Sequence, residues 1–208
     1  MKPSPGRGGA QDRVKRIIAS YPDPRSAVMP LLFVTSLEHG GHVTDDVQRQ
    51  VAVLTGLTAA QVQAVASFYT MYKRDHVGRY VISVCTSISC FLVGADELLA
   101  AIEQETGTFD GETSEDATVS VEHVECIGAC GGAPALQVNY ELAEGVTPAK
   151  GRELCQWLRD AQPATVLGDE LQQLFGGRRS FDWGPPEDEG AVLPVPALGR
   201  LGSTGGGS

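Results

Sequence analysis

The sequence predicts an α+β protein: a small helical bundle over residues 11–76, an α/β domain over 77–162 and an extended tail over 163–208, with a flexible arm at 1–10 ahead of them. Three changes along the chain carry this division. Apolar residues recur at helical spacing as far as about Tyr69, alternate at strand spacing in segments between Arg79 and Val138, and give way after Gln162 to glycine, proline and charge.

The bundle is expected to hold three or four short helices. Ser26 is placed to cap a helix whose apolar residues Met29, Leu32, Phe33 and Leu37 form one stripe. Pro30 falls in its first turn, where a missing N–H costs little, and Gly40-Gly41 ends it. Thr44 caps the next helix, with Asp45 and Asp46 at its positive end and Val47, Val51 and Leu54 on one face before Gly56. Thr58 and Gln61 then read as a capping box for a helix from Ala59 to about Tyr69.

The second domain changes period. Arg79 to Val84 reads as a strand ending at Cys85, Ala95 to Ile102 as a helix, and Val119 to Val124 as a strand running toward Cys126. Ala135 to Val138 makes a third strand after Pro134, and Thr147 to about Asp160 a last helix burying Leu154 and Leu158. The order is β-α-β-β-α.

Four of the five cysteines stand in two tight groups, Cys85-Thr86-Ser87-Ile88-Ser89-Cys90 and Cys126-Ile127-Gly128-Ala129-Cys130. Residues 91–125 separate them, so the fold must bring one loop back beside the other. An odd cysteine count and a start, Met1-Lys2-Pro3-Ser4-Pro5, without an apolar signal segment point to a reducing compartment and against structural disulfides. Zinc accepts four thiolates in C-x₂₋₄-C pairs and stays open as a structural alternative. An iron–sulfur cluster also takes four thiolates, and its larger inorganic core suits wide bites. Gly128, Ala129, Gly131, Gly132 and Ala133 strip the second loop of side chains, which lets its backbone aim N–H groups at sulfur. His39, His42, His76 and His123 are scattered, which disfavours a site mixing histidine with cysteine. With no C-x-x-C present, disulfide oxidoreductase chemistry is disfavoured too. Cys155, beside Leu154 on the last helix, reads as a structural core residue.

Taken together, Ser67-Phe68-Tyr69-Thr70-Met71-Tyr72, Val84 through Cys90, and Val124-Glu125-Cys126 through Ala135 resemble the signature of the thioredoxin-like [2Fe-2S] ferredoxin (E-type) component of NADH:quinone oxidoreductase, respiratory complex I. The run Tyr21 to Leu32 is similar to that family's first helix, and the resemblance covers roughly residues 11–160. The tail and the short Val138-Asn139-Tyr140 segment depart from it. The resemblance implies a thioredoxin-like fold for 77–162 and one [2Fe-2S] cluster held by Cys85, Cys90, Cys126 and Cys130. It further implies FMN and NADH on a partner flavoprotein subunit, a larger iron–sulfur subunit nearby, and a role for the cluster in electron storage or in tuning the flavin site. The equivalent subunit of an NAD-dependent formate dehydrogenase or a bidirectional hydrogenase is the alternative within redox chemistry, and a Cys₄ zinc interaction module the alternative outside it.

Charge and composition exclude other classes. The chain carries a formal −10, with no Lys or Arg from Tyr80 to Ala149 and twelve carboxylates in that stretch, so no basic face tracks phosphates. That field predicts a low reduction potential, nearer the roughly −400 mV of plant-type ferredoxins than the Rieske range. Lys2, Arg7, Arg13, Lys15, Arg16 and Arg25 make a basic N-terminal arm suited to an acidic partner. No G-x-G-x-x-G follows a strand, so the chain is not expected to hold NADH, and no residue is assigned as acid, base or nucleophile. No stretch approaches the ~20 apolar residues of a membrane span, which predicts attachment to the cytoplasmic side of a membrane through partners only. Phe181 and Trp183 stand out in the tail as candidate anchors on another subunit, beside a short helix over Asp169 to Phe175.

Overall fold

Asp23, not Ser26, begins the first of the predicted helices. In the computed structural model, which describes residues 7–181 and 190–196, its carboxylate accepts the Arg25 N–H at 2.9 Å and starts a 3₁₀ turn, Pro24–Ala27, that contains Ser26. The turn runs into α2, Val28–Ser36, preceded by α1, Arg7–Ala19, and followed by α3, Asp45–Thr55, and α4, Ala59–Phe68. The expected stripe of Met29, Leu32, Phe33 and Leu37 understates α2. Val28, Leu31, Leu32, Val34, Thr35 and Ser36 are all buried, because a helix apolar on every side sits at the centre of its neighbours.

The caps are as predicted elsewhere in this unit. Gly40 takes the left-handed conformation that ends the helical run, and Thr44 Oγ1 accepts the Val47 N–H at 3.3 Å. Thr58 and Gln61 bond reciprocally as a capping box, Gln61 N–H to Thr58 Oγ1 at 3.3 Å and Thr58 N–H to Gln61 Oε1 at 3.0 Å. Val47 and Val51 are buried, but Leu54 turns outward beside the exposed Val53. Tyr72 returns over α2, donating its hydroxyl to Met29 O at 3.0 Å and packing on Phe33 with ring centroids 4.8 Å apart.

The described residues from Val77 onward form a second compact unit around a five-stranded mixed sheet, ordered β2-β3-β1-β4-β5. β1, Tyr80–Cys85, lies at its centre, parallel to β3, Val119–Val124, and antiparallel to β4, Ala135–Val138. β2, Glu112–Thr113, and β5, Glu141–Glu144, are edges absent from the sequence-based expectation. Both are short, and β5 is joined to β4 by a two-residue turn whose Asn139 and Tyr140 have φ of 50° and 72°. A tyrosine at positive φ is an uncommon hairpin residue, which hides the turn. Asn139 compensates by accepting the Val81 N–H at 2.8 Å and donating to Arg79 O at 3.0 Å.

After the short α5, Ile88–Phe91, three helices complete the core of this unit: α6, Ala95–Thr106, α7, Pro148–Ala161, and α8, Gly168–Phe175. Ile82, Val84, Leu98, Ile102, Leu136, Leu154 and Leu158 interlock there. Gly151 lets α7 approach α6, since a Cβ at that position would come within 2.6 Å of Leu98 Cδ1.

Residues 163–181 differ from the extended tail expected of them. Leu171 and Phe175 of α8 are buried in the core, with Phe175 5.4 Å from the Trp157 ring, and Val166 pairs with Ala191 through N–H···O bonds of 2.8 and 2.9 Å. Burying each such side chain contributes about 1.5–3 kcal/mol, which a judgement from glycine and proline content leaves out. Trp183 and the basic Lys2 lie outside the described residues. Among the described residues no single helix is long and apolar enough to cross a membrane.

Candidate metal centre

Parallel pairing of β1 with β3 brings the two cysteine loops to one edge of the sheet. Cys85 is the last residue of β1 and is in register with Val124, the last of β3; Thr86 N–H extends the ladder to Val124 O at 3.1 Å. Cys126 therefore starts its loop beside the point where Cys85 starts the other. Ligand sites commonly form beyond the carboxyl ends of parallel strands, where chain direction frees two loops side by side.

The first loop closes at once into α5, which carries Cys90 back over the end of the sheet. Cys85 and Cys90 are both buried, in a small apolar cluster with Ala95, Ala129 and Ala135. Burial pushes the Cys90 thiol up to about 11, with Cys85 and Cys130 adding to the shift and the Ala135 N–H opposing it.

The second loop is open to solvent. Cys126 and Cys130 are exposed, with Sγ atoms 3.5 Å apart. The Cys130 thiol is raised by its contact with Cys126, and the Ser89 hydroxyl on the other loop works against that. A further bond joins the loops at their rim, Ser87 Oγ to Glu125 Oε2 at 2.8 Å. Thiols raised in this way must surrender protons to a metal, so loading is favoured by rising pH.

The four predicted ligands thus lie on neighbouring loops, as one buried and one exposed pair. Among the described residues no three His, Cys, Asp or Glu side chains converge on a point for one metal ion. A binuclear iron–sulfur cluster takes two thiolates on each iron, so a site for one would need two such pairs. Cys155 stands apart, fully buried in the main core with Leu154 and Leu158, and burial pushes its thiol up to about 12. His123 hydrogen-bonds Asp110, Nδ1 to Oδ2 at 2.7 Å, and His39, His42 and His76 belong to the helical unit.

Sequence reasoning missed Ser89 and Ala135. The serine had a signal, since it precedes a cysteine at a helix start; Ala135 acts through its backbone and had none. The small residues of the second loop also have a further use. Gly128 has φ of 86° and open space around it, whereas Gly131 and Gly132 are packed against Ser180 and Glu144. Beside the site, Ile88, Phe91, Leu92 and Val93 are exposed, Leu92 to 72%, and form an apolar rim around the first loop.

The model of the thioredoxin-like [2Fe-2S] ferredoxin family matches residues 14–159. The E-type component of the Mycobacterium tuberculosis NADH-quinone oxidoreductase is 42% identical over 149 residues, 72% of this chain and 59% of that protein, so the match spans less than two thirds of the mycobacterial relative. An E-type component of the Rhizobium meliloti NADH-quinone oxidoreductase is 34% identical over 76% of this chain and 93% of its own length. The second subunit of the Thermus thermophilus NADH-quinone oxidoreductase is 39% identical over 72% of this chain and 83% of its own. Among solved structures, an NAD+-reducing [NiFe]-hydrogenase in the air-oxidised state aligns over 64% of this chain and 23% of its own, with a TM-score of 0.56 and 19% identity, a likeness of fold. With a family match over most of its length and relatives of this identity, the chain belongs to the thioredoxin-like [2Fe-2S] ferredoxins.

Proposed function

We propose that this chain is the [2Fe-2S] electron-transfer subunit of the NADH-oxidising module of an NADH:quinone oxidoreductase. It accepts single electrons from FMN on a partner flavoprotein subunit, with Cys85, Cys90, Cys126 and Cys130 as cluster ligands. The observation that carries this reading is the pair of thiol pairs at the adjacent ends of β1 and β3. The names of the relatives, subunits of NADH-quinone oxidoreductases, support the choice of complex.

When bound, the cluster supplies a one-electron couple; NADH delivers a hydride, so a flavin is required between them. The chain's own residues then have separable tasks. Cys85 and Cys90 hold one side of the site in an apolar pocket, while Cys126 and Cys130 hold the side facing water. The Ala135 N–H and the Ser89 hydroxyl offset negative charge on sulfur.

The rim of Ile88, Phe91, Leu92 and Val93 presents a dry docking surface next to the ligands, bordered by the exposed carboxylates Asp96, Glu97 and Glu125. A flavoprotein face that is apolar at its centre and edged with Lys or Arg is its complement. A larger iron–sulfur subunit completes the module, which stands on the cytoplasmic side of the membrane and is attached through other subunits.

The test is low-temperature EPR of the anaerobically purified, dithionite-reduced chain, with iron and zinc measured on the same sample. The expected result is a reduced binuclear signal and about two irons per chain, lost in each of Cys85→Ala, Cys90→Ala, Cys126→Ala and Cys130→Ala and kept in Cys155→Ala. Stoichiometric zinc without a signal overturns the electron-transfer reading in favour of a structural site.

A further inference from the structure

We infer that Glu144 and Ser180 are positioning residues for the exposed half of the metal centre: they clamp the Cys126–Cys130 loop from behind, through the chain that follows α8. The inference rests on the cluster reading above and concerns residues that the reading does not use.

Glu144 ends β5 and is only 1% exposed, unusual for a carboxylate. Its Oε1 accepts both the backbone N–H of Ser180, at 3.1 Å, and the Ser180 hydroxyl. Its backbone is held as firmly. Glu144 N–H donates to Gln172 Oε1 at 2.8 Å, while Glu144 O accepts the Gly177 N–H at 2.8 Å and Gln172 Nε2 at 3.2 Å. The segment 176–180 is therefore tied to the end of β5 at both its start and its finish.

The cysteine loop lies against this tie. Gly132 is buried; a Cβ there would come within 2.5 Å of Glu144 Oε1 and 2.7 Å of Arg178 O. At Gly131 an added Cβ would come within 3.2 Å of Ser180 Cα, Cβ and Oγ. Gly132 O also accepts the Gly145 N–H at 2.5 Å, and Pro134 O the Val146 N–H at 3.0 Å. Cys130 and Gly132 share one 3₁₀ turn, so the backbone that carries the Cys130 thiol rests directly on the Glu144–Ser180 pair.

The two halves of the site thus have different supports. Cys85 and Cys90 are carried by a central strand and a helix packed on it. Cys126 and Cys130 are carried by a loop with no regular ladder of its own, and the clamp supplies what the ladder supplies on the other side. Loosening the clamp frees the exposed pair first.

The experiment is iron release from the cluster-loaded full chain to an excess of a chelator, followed by visible absorbance, with EPR of the reduced state. Ser180→Ala is expected to load iron like the wild type and to lose it about tenfold faster, the factor carried by one hydrogen bond to a charged acceptor, with a shifted EPR line shape. Gly131→Ala, which pushes on Ser180 from the loop side, moves both readouts the same way. Glu144→Ala releases faster still, while Glu144→Gln, which keeps an acceptor oxygen, stays close to wild type. Leu158→Ala, in α7, lowers thermal stability and leaves the line shape unchanged. Release and line shape in Ser180→Ala and Gly131→Ala identical to wild type would overturn the clamp while leaving the cluster reading intact. Release from Glu144→Gln as fast as from Glu144→Ala would overturn its hydrogen-bond basis. A wild-type chain that holds no iron overturns both readings together.

Discussion

The Ser89 hydroxyl favours the Cys130 thiolate from across the gap between the two cysteine loops, so a residue of the buried loop acts on a thiol of the exposed one. A hydrogen bond to a sulfur ligand favours the reduced, more negative state of a cluster and raises its potential. Ser89→Ala is therefore expected to lower the midpoint potential by about 30–60 mV, the one-electron equivalent of about 1 kcal/mol. The check is a redox titration followed by EPR. An unchanged or higher midpoint would show that Ser89 contributes nothing to the reduced state.

The apolar rim gives a prediction about association. Phe91 and Leu92 are 52% and 72% exposed, side by side, on the first ligand loop. Changing each to Ser should leave iron content unchanged and weaken binding of the proposed flavoprotein partner by about tenfold per anchor removed. Surface plasmon resonance with the cluster-loaded chain measures this directly. A double variant that binds as tightly as wild type would place the partner elsewhere.

The turn between β2 and β3 should respond to acid. The Asp116 carboxylate accepts the Ser114 hydroxyl at 2.6 Å, the Thr118 N–H at 2.9 Å and the Thr118 hydroxyl at 2.8 Å, and these bonds, Ser114 first, lower its pKa from 3.8 to about 2. A carboxylate lowered in the folded state stabilises it above its unfolded pKa, and that contribution fades as pH falls through the folded value. The Thr118 amide should thus lose protection between about pH 4 and pH 2. Asp116→Ala should show the weaker protection already at neutral pH. Hydrogen exchange resolved by NMR distinguishes the two proteins.

Much of this fold is legible in the chain because the signals are local. Thr44, and Thr58 with Gln61, specify their helix starts within four residues, and β1 and β3 show as apolar segments leading into cysteines. Where the outcome depends on distant chain, the sequence says less. One miss is local: Asp23 displaces Ser26 as the cap because a 3₁₀ turn intervenes before α2. β5 is hidden by a turn that places Tyr140 at positive φ, a cost met by the Asn139 side chain on β1. α8 shows as a helix, but its union with the core depends on Trp157, 18 residues before Phe175, and on the β5 edge that the same turn conceals. At the site the thiols are legible from spacing. Glu144 reads only as one more carboxylate in an acidic stretch, since its burial is created by a segment more than thirty residues later.

The parallel register of β1 and β3 also sets a rule for change. Cys85 and Val124 are opposed by ladder bonds, so the distance between the two ligand loops is measured across one strand spacing and not along the 35 residues of chain that join them. Residues can be added in the exposed turn around Asp116 without moving either pair of thiols. A single residue inserted within β3 would instead carry Cys126 about 3.3 Å along the sheet and turn every following side chain to the opposite face. The chain between the loops is free to diversify in length at its outer turns, while its two strands must keep step.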